Sequence, residues 1–218
     1  MENVKKQDLT PNSTFSNMTV AGLLSALASP DPTPGGGTAA AIAGAMGTSL
    51  LVMVTGLAKS KTNTDDEKAA LAGARAALEP ISTQLTQLAD ADTEAFNQVM
   101  AAYRLAKATD DEKAVRTRAI QDALRLATVV PLDTLRACAA AIDQGRAVAA
   151  YGNRSASSDV GVAVGLLKAA AEGAAANVRI NLASLKDEAF KAETEGETTR
   201  LLAIAVAAAD EAMREVTT

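Results

Sequence analysis

The amino-acid sequence predicts an all-α fold with one helical domain. Of the 218 residues, 48% are apolar but only 2% are aromatic, so the core must be built from Ala, Leu, Val, Ile and Met. No segment shows sustained alternation of β-branched residues, whereas long segments have helical periodicity. Helix-start and turn signals fall between these segments. We therefore expect a bundle of about eight helices.

Caps, prolines and glycines set the predicted helix boundaries. Two copies of TDDEK, at 64–68 and 109–113, place Thr three residues before Glu, which is the capping-box pattern of a helix start. Pro80 is expected to break or kink a helix, and Pro131 to lie in a first turn, where proline is tolerated. The YGN segment at 151–153 closes a later helix. The predicted helices are 19–28, 36–60, 65–79, 81–107, 111–128, 132–149, 158–184 and 198–216, in one domain over 19–218 that follows a flexible lead-in at 1–18.

Charge and residue usage exclude several classes of function. The net charge is −5, and Lys and Arg are dispersed among acids, so no nucleic-acid partner is expected. The chain has no His, which excludes His-based triads and imidazole acid–base catalysis. The TDDEK acids complement helix dipoles, so no metal site is expected. The segment GGGTAA formally fits a dinucleotide fingerprint, but it follows DPTP and no strand, which makes that reading weak.

The single cysteine and the N-terminus indicate a cytoplasmic location. Cys138 lies in the apolar segment LRACAAAI, where it is expected to be a small buried residue. One cysteine cannot form an internal disulfide, which suits a reducing compartment. The first 20 residues lack the continuous apolar stretch of a signal peptide. We therefore expect a protein of the cytoplasm.

The predicted helix 36–60 is unusually rich in small residues. Its uncharged run is long enough to cross a bilayer, but Ala and Gly contribute little transfer free energy, so a buried bundle helix with no membrane partner is favoured. Small residues recur on one face, which indicates a close neighbour. That neighbour is either another helix, within or between subunits, or a ligand. Together with the Ala-rich faces of predicted helices 132–149 and 158–184, this stripe exceeds what one thin bundle can cover, which predicts a homodimer through small-residue helix faces. The stripe consists of Gly37, Ala40, Gly44, Gly47, Leu51, Val54 and Ala58.

One carboxylate falls on the apolar face of its helix. In the segment ADADTEAF, Asp92 shares the face of Leu88 and Phe96, whereas Asp90 and Glu94 point to the opposite face, where solvent is expected. Burial of a carboxylate raises its pKa towards the range in which it can exchange protons near neutral pH. Asp92 is therefore the candidate catalytic residue. The alternative is an Asp that pairs with a buried cation or a backbone amide.

A second set of polar residues shares a face of predicted helix 158–184. Asp159 is either a site residue or a first-turn acid beside a Ser cap. Asn177 and Asn181 lie one turn apart, and buried amides need hydrogen-bond partners. They are expected to present donors and acceptors to a polar heterocycle.

Four ordered motifs resemble the cyclodeaminase/cyclohydrolase family of folate enzymes. They are SPDPTPGGGTAAAIAGAMG, DADTEAF with MAAYRL, VVPL, and SDVGVAV with GAAANVRIN and KDEAF, and they span roughly residues 20 to 195. The resemblance implies an all-helical homodimer that acts on one-carbon tetrahydrofolates and needs no cofactor beyond the folate substrate. The two activities of the family are hydrolysis of 5,10-methenyltetrahydrofolate and release of ammonia from formiminotetrahydrofolate, and the motifs do not separate them.

The resemblance also assigns site residues. It makes Asp92 the proton donor, the same residue that the helical pattern singles out. It implies that the turn of Pro34, Gly35, Gly36 and Gly37 forms part of the folate slot. Lys61 is retained as a substrate contact, but relatives often carry another Lys and a Tyr beside it that LAKSKTN lacks. That departure favours a third reading, a folate-binding or structural helical dimer without catalysis.

Overall fold

The computed structural model describes residues 14–57 and 63–217, and helices dominate both ranges. No strand occurs among these residues, so the predicted all-α class is confirmed. Two short 3-10 helices, Phe15–Asn17 and Arg154–Ala156, accompany the α-helices. The α-helices are α1 Val20–Leu27, α2 Gly36–Thr55, α3 Asp65–Tyr103, α4 Asp110–Tyr151, α5 Ser157–Leu182 and α6 Glu188–Thr217.

The described chain has six α-helices where eight were predicted, because neither proline ends a helix. α3 runs through Pro80 and α4 runs through Pro131. A proline in a helix interior removes one backbone hydrogen bond and clashes with the carbonyl four residues earlier, at a cost of about 3 kcal/mol. Both helices pack along their length against neighbours, and this tertiary packing outweighs the local cost.

Each proline leaves the carbonyl four residues before it without a backbone donor, and the two carbonyls find different partners. Pro80 and Ala76 are exposed, so solvent can reach the Ala76 carbonyl. Pro131 is buried, and the carbonyl four residues before it, that of Ala127, accepts a hydrogen bond of 2.6 Å from Asn181 Nδ2. A side chain of α5 therefore supplies the donor that Pro131 lacks, which allows a buried proline inside α4.

The predicted helix starts at the two TDDEK segments are confirmed. Thr64 accepts from the amide of Glu67, whose side chain accepts from the amide of Thr64. Thr109 and Glu112 repeat the same reciprocal pair. Each capping box satisfies amides that a helix start leaves without a partner.

Other predicted boundaries differ from the structure. α2 ends at Thr55, ahead of the predicted residue 60, and residues 58–62 lie outside the described residues. α6 begins at Glu188, ten residues before the predicted start at 198. Its cap is Asp187, whose Oδ1 accepts from the Phe190 amide at 3.0 Å, and the sequence signal for this start is the Asp of KDEAF.

The small-residue stripe of α2 contacts other helices of the same chain. A β-carbon at Gly44 would lie 2.9 Å from Cys138 Sγ, and one at Gly47 would lie 2.6 Å from the carbonyl oxygen of Ala163. Within the described chain, the stripe therefore serves close crossings with α4 and α5. Cys138 is buried as predicted, and burial raises the pKa of its thiol to about 12.

Among the described helices, α2 alone is long and apolar enough to cross a bilayer. Half of its most apolar stretch is buried inside the protein. A helix in the core of a protein can have the same length and apolar composition, so these two properties alone are weak evidence for a membrane span. Its buried half includes Thr38 and Thr48, which have no exposed surface.

Candidate active site

The candidate site lies where the middle of α3 meets the N-terminal turn of α2. Asp92 is half-buried on α3 and directs its carboxyl group at α2. Its Oδ2 accepts a hydrogen bond of 3.0 Å from the hydroxyl of Thr38. The Thr38 hydroxyl also lies 3.2 Å from the hydroxyl of Thr93. The inward direction that the helical pattern predicts for Asp92 agrees with this geometry.

Gly37 lets the carboxyl group approach the backbone of α2. A β-carbon at this position would lie 2.6 Å from Asp92 Cγ, a separation that real β-carbons do not show. Glycine is therefore required here for steric contact, while the helical backbone itself makes no special demand. The third glycine of the GGG turn and the aspartate of DADTEAF form one structural unit.

Burial and one neighbour set the electrostatics of Asp92. Burial raises the pKa of this carboxyl above its ordinary value, and hydrogen bonds from the hydroxyl and the backbone amide of Thr38 oppose part of the rise. Over residues 14–57 and 63–217, no Lys or Arg forms an ion pair with it. The alternative of a buried aspartate–cation pair therefore has no partner in the part of the chain that the structure describes.

Asn177 of α5 lies beside the same turn. A β-carbon at Gly36 would lie 3.7 Å from Asn177 Nδ2, and that amide donates to the Gly173 carbonyl at 2.9 Å. No hydrogen bond to the Asn177 Oδ1 is found among the described residues, so this oxygen is available to a ligand donor. The structure thus places Asn177 beside Gly36, the residue before the glycine that contacts Asp92.

Two other predicted polar contacts lie elsewhere. Asn181, one turn beyond Asn177, donates to the Ala127 carbonyl, which Pro131 leaves without a backbone donor. The side-chain amide of Asn181 therefore has a structural role in the pairing of α5 with α4. Asp159 occupies the first turn of α5, 18 positions before Asn177, which corresponds to about 27 Å along the helix axis. Within this chain, Asp159 therefore lies far from Asn177 and from the first turn of α2, which lies beside Asn177. Lys61 lies outside the described residues.

The turn before α2 has the predicted position. Pro34 is buried, and its peptide bond with Thr33 is cis. Gly35 is the N-cap, with extended backbone, and the exposed Gly36 begins the helix. The turn therefore brings the first amides of α2 to the same place as Asp92 and Asn177.

The sequence analysis missed two residues and misjudged a third. Thr38 contacts Asp92 and Thr93 contacts Thr38, but the sequence shows only a Thr directly after GGG and a Thr next to the candidate aspartate. Asp90 was predicted to face solvent. It is instead half-buried, and its Oδ1 accepts from the Phe15 amide at 2.6 Å. The helical pattern alone could not show that the N-terminal segment packs over this face.

An apolar groove lies beside α2. It has a volume of about 510 Å³ between the first 3-10 helix, α1, α2 and α3. Asp92 does not line this groove, so the groove is separate from the site formed by Asp92, Thr38 and Gly37. Its walls include Phe15, Leu23, Ile42, Met46, Leu50 and Met53.

Comparisons with known proteins assign the fold and these motifs to one family. The family described as formiminotransferase-cyclodeaminase matches residues 19–200, which is most of the chain. The chain belongs to this family. The resemblance inferred from the four motifs is therefore confirmed.

Relatives in the formiminotransferase-cyclodeaminase family carry two kinds of name. A methenyltetrahydrofolate cyclohydrolase of Methylorubrum extorquens is 45% identical over 187 residues, which cover 86% of this chain and 90% of the relative. A formimidoyltransferase-cyclodeaminase of Gallus gallus is 34% identical over 175 residues, or 78% of this chain. The chain spans about a third of that relative's length, since the match covers 31% of it.

A solved structure extends the agreement to three dimensions. The formiminotetrahydrofolate cyclodeaminase of Thermotoga maritima superposes with a TM-score of 0.81 at 27% identity. The superposition covers 92% of this chain and 96% of the other. The fold of this chain is therefore similar to that of a protein named as a cyclodeaminase.

Proposed function

We propose that the protein hydrolyses 5,10-methenyltetrahydrofolate to 10-formyltetrahydrofolate, with Asp92 as general base and then general acid. One observation carries the proposal: a half-buried carboxyl with a raised pKa and no cationic partner among the described residues, held by Thr38 against the bare backbone of Gly37. The cyclohydrolase of Methylorubrum extorquens supports the choice of reaction, because it matches this chain over most of both lengths.

The carboxylate suits the charge of this substrate. The methenyl bridge joins N5 and N10 as a delocalised cation, and a nearby carboxylate stabilises it. Asp92 accepts a proton as water adds to the bridge carbon, which gives a neutral carbinolamine. It then returns that proton to N5 as the bond between the carbon and N5 breaks. The hydroxyl proton goes to solvent as the formyl carbonyl forms, so one proton is released per turnover.

Groups around Asp92 supply candidate contacts for the pterin. The free Oδ1 of Asn177 can accept from a ring N–H. The first amides of α2, at Gly36 and Gly37, can donate to a carbonyl or anionic group, as helix N-termini do. Asn181 is not included in this proposal because its side chain already donates to the Ala127 carbonyl. Asp159 is not included because it lies at the opposite end of α5 from the site.

A second candidate, formiminotetrahydrofolate cyclodeaminase, is favoured by the likeness to the Thermotoga maritima structure. In that reaction N10 attacks the formimino carbon, Asp92 protonates the departing amino group, and ammonia leaves as the methenyl ring closes. The same carboxyl performs the proton transfer in both reactions, so both depend on Asp92.

Two assays of the purified protein separate these functions. The first follows loss of methenyl absorbance from 5,10-methenyltetrahydrofolate against the uncatalysed rate in the same buffer. The second measures ammonia released from formiminotetrahydrofolate. The proposal expects acceleration in the first assay and little in the second. Ammonia release without methenyl hydrolysis would establish the second candidate, and saturable folate binding with neither activity would indicate a non-catalytic protein.

We also propose that the protein is a homodimer that uses the apolar face of α1 and α2. The small-residue faces first suggested for this contact are largely covered inside the chain, since Gly44, Gly47 and the core alanines of α4 and α5 are buried. A different apolar surface remains open around the groove, with the side chains of Val20, Leu24, Met46, Met53 and Leu57 between 41% and 74% exposed. Exposed apolar patches of this kind mark protein interfaces.

A further inference from the structure

Three side chains at the site form a hydrogen-bonded row. The Thr38 hydroxyl lies between Asp92 Oδ2, at 3.0 Å, and the Thr93 hydroxyl, at 3.2 Å. Thr38 has no exposed surface, so water cannot replace either partner at its hydroxyl. Asp92 and Thr93 are half-buried. The row therefore runs from a buried centre towards the two partly exposed groups.

The number of hydrogens fixes the direction of donation. A hydroxyl has one hydrogen to donate and two lone pairs to accept with, whereas an ionised carboxylate only accepts. Thr38 must therefore give its single hydrogen to Asp92 Oδ2 when the acid is ionised. Its oxygen is then free to accept, and Thr93 is the hydroxyl within reach. Each bond in such a row polarises and strengthens the next.

Thr38 holds the Asp92 carboxyl group with two donors. Its hydroxyl donates to Oδ2 at 3.0 Å, and its backbone amide donates to the same carboxyl group. The carboxyl group lies against Gly37, where a side chain is absent. Asp92 is only half-buried, so water or substrate can still reach it.

We propose that Thr38, supported by Thr93, is a positioning residue that holds Asp92 ionised and oriented for proton transfer. The inference rests on the proposed function only for the part that concerns turnover, because the hydrogen bond to the ionised carboxyl acts in the free protein as well. Loss of the Thr38 hydroxyl removes an interaction made to the ionised form, so that only the Thr38 backbone amide still opposes the effect of burial on the pKa of Asp92.

Among the described residues, no charged side chain shares with Thr38 and Thr93 the role of holding Asp92 ionised. From α2, Asp92 meets Thr38 and Gly37, and the residue of α5 that lies beside the neighbouring Gly36 is the neutral Asn177. On its own helix, Asp90 is held by the Phe15 amide, and the exposed Glu94 accepts from Gln98. Burial raises the pKa of Asp92 and Thr38 opposes the rise, while no charged side chain of the described parts of α2, α4 or α5 shifts it.

The test uses Thr38→Val, which keeps the shape of the side chain and removes the hydroxyl. We expect the pKa of Asp92, followed by carbon NMR of the aspartate carboxyls in ligand-free protein and assigned with Asp92→Asn, to rise above the wild-type value. We also expect the acidic limb of the kcat/KM profile to move to higher pH, with roughly tenfold lower kcat/KM on that limb. Thr38→Ser restores the hydroxyl and should return both readouts towards wild type.

Thr48→Val is the matched control. Thr48 lies on the same helix, is equally buried, and uses its hydroxyl only for the Gly44 carbonyl one turn earlier at 2.8 Å. It should leave the Asp92 titration unchanged. An unchanged titration in Thr38→Val, or an equal shift in Thr48→Val, would overturn the proposal. Because the NMR titration needs no substrate, a failure of the proposed folate activity would be visible separately in the turnover assays.

Discussion

At the scale of single residues, the site depends on one close contact between a carboxyl group and a glycine. The pattern of α3 identifies Asp92 because a carboxylate on an apolar face can be recognised from sequence spacing. The same pattern could not identify Thr38 or Thr93, since buried threonines are common and their partners depend on how α2 and α3 cross. It also could not separate Asn177 from Asn181, which share a helix face but contact different elements.

Gly37→Ala tests this contact. The new β-carbon would overlap the Asp92 carboxyl, so the carboxyl must move and its bond with Thr38 must lengthen. We expect kcat/KM to fall by roughly 100-fold, the usual range for a misplaced acid–base group. The measurement is steady-state methenyl hydrolysis.

Gly73→Ala provides the matched control for that substitution. A β-carbon at Gly73 in α3 would meet nothing within 4 Å. It should leave kcat/KM unchanged and raise stability by about 1 kcal/mol, because alanine favours a helix interior over glycine. Similar rates for Gly37→Ala and wild type would contradict the account of the turn.

At the scale of helices, local signals gave the helix starts but not the helix lengths. The capping boxes at Thr64 and Thr109 use only contacts within one turn, so sequence spacing was sufficient to predict them. The continuity of α3 and α4 through their prolines depends on packing and on a donor from another helix, neither of which is visible in the local sequence. The count of eight helices failed for that reason.

The pairing of Asn181 with Pro131 predicts a non-additive pair of substitutions. Asn181→Ala leaves the carbonyl of the half-buried Ala127 without a donor and should destabilise the protein by about 1 kcal/mol or more. Pro131→Ala restores a backbone N–H that can reach this carbonyl, so Asn181→Ala should cost much less in that background. The measurement is denaturant unfolding of the four proteins. Equal losses in both backgrounds would contradict the pairing.

At the scale of the whole molecule, the family fold leaves one apolar face uncovered. The core of the described chain involves α2 to α6, whereas the face formed by α1 and the outer side of α2 exposes large apolar side chains. Sequence analysis assigned an interface to small residues because they allow close helix contact. The structure uses most of that contact internally, and the larger Met and Leu side chains form the face that we propose for a second copy.

Met46→Glu tests the proposed dimer. The side chain is 55% exposed in the single chain and lines the groove, so a charge there would be buried without a partner in a dimer. We expect light scattering to report a dimer for wild type and a monomer for Met46→Glu at the same concentration. Val115→Glu, at a site 64% exposed on α4, is the control and should remain dimeric. A wild-type monomer, or a dimeric Met46→Glu, would contradict the proposed face.

The effect of pH on stability follows from the same carboxyl. The pKa of Asp92 is raised in the folded state, so the folded protein holds this proton more tightly than the unfolded chain. Stability contributed by the protonated acid is lost as pH rises from the ordinary aspartate pKa through the folded-state value. Near neutral pH, the ionised Asp92 therefore lowers the free energy of unfolding.

Measuring turnover and thermal unfolding together for Asp92→Asn tests the central claim most directly. Asparagine keeps the size of the side chain but cannot exchange a proton, so we expect kcat to fall by roughly 100-fold or more. The melting temperature at neutral pH should stay the same or rise, because the cost of a buried charge is removed. Glu94→Gln, on the exposed face of α3, should match wild type in both measurements. Full activity in Asp92→Asn, or a marked fall in its melting temperature together with its activity, would contradict the assignment of Asp92 as the acid–base residue.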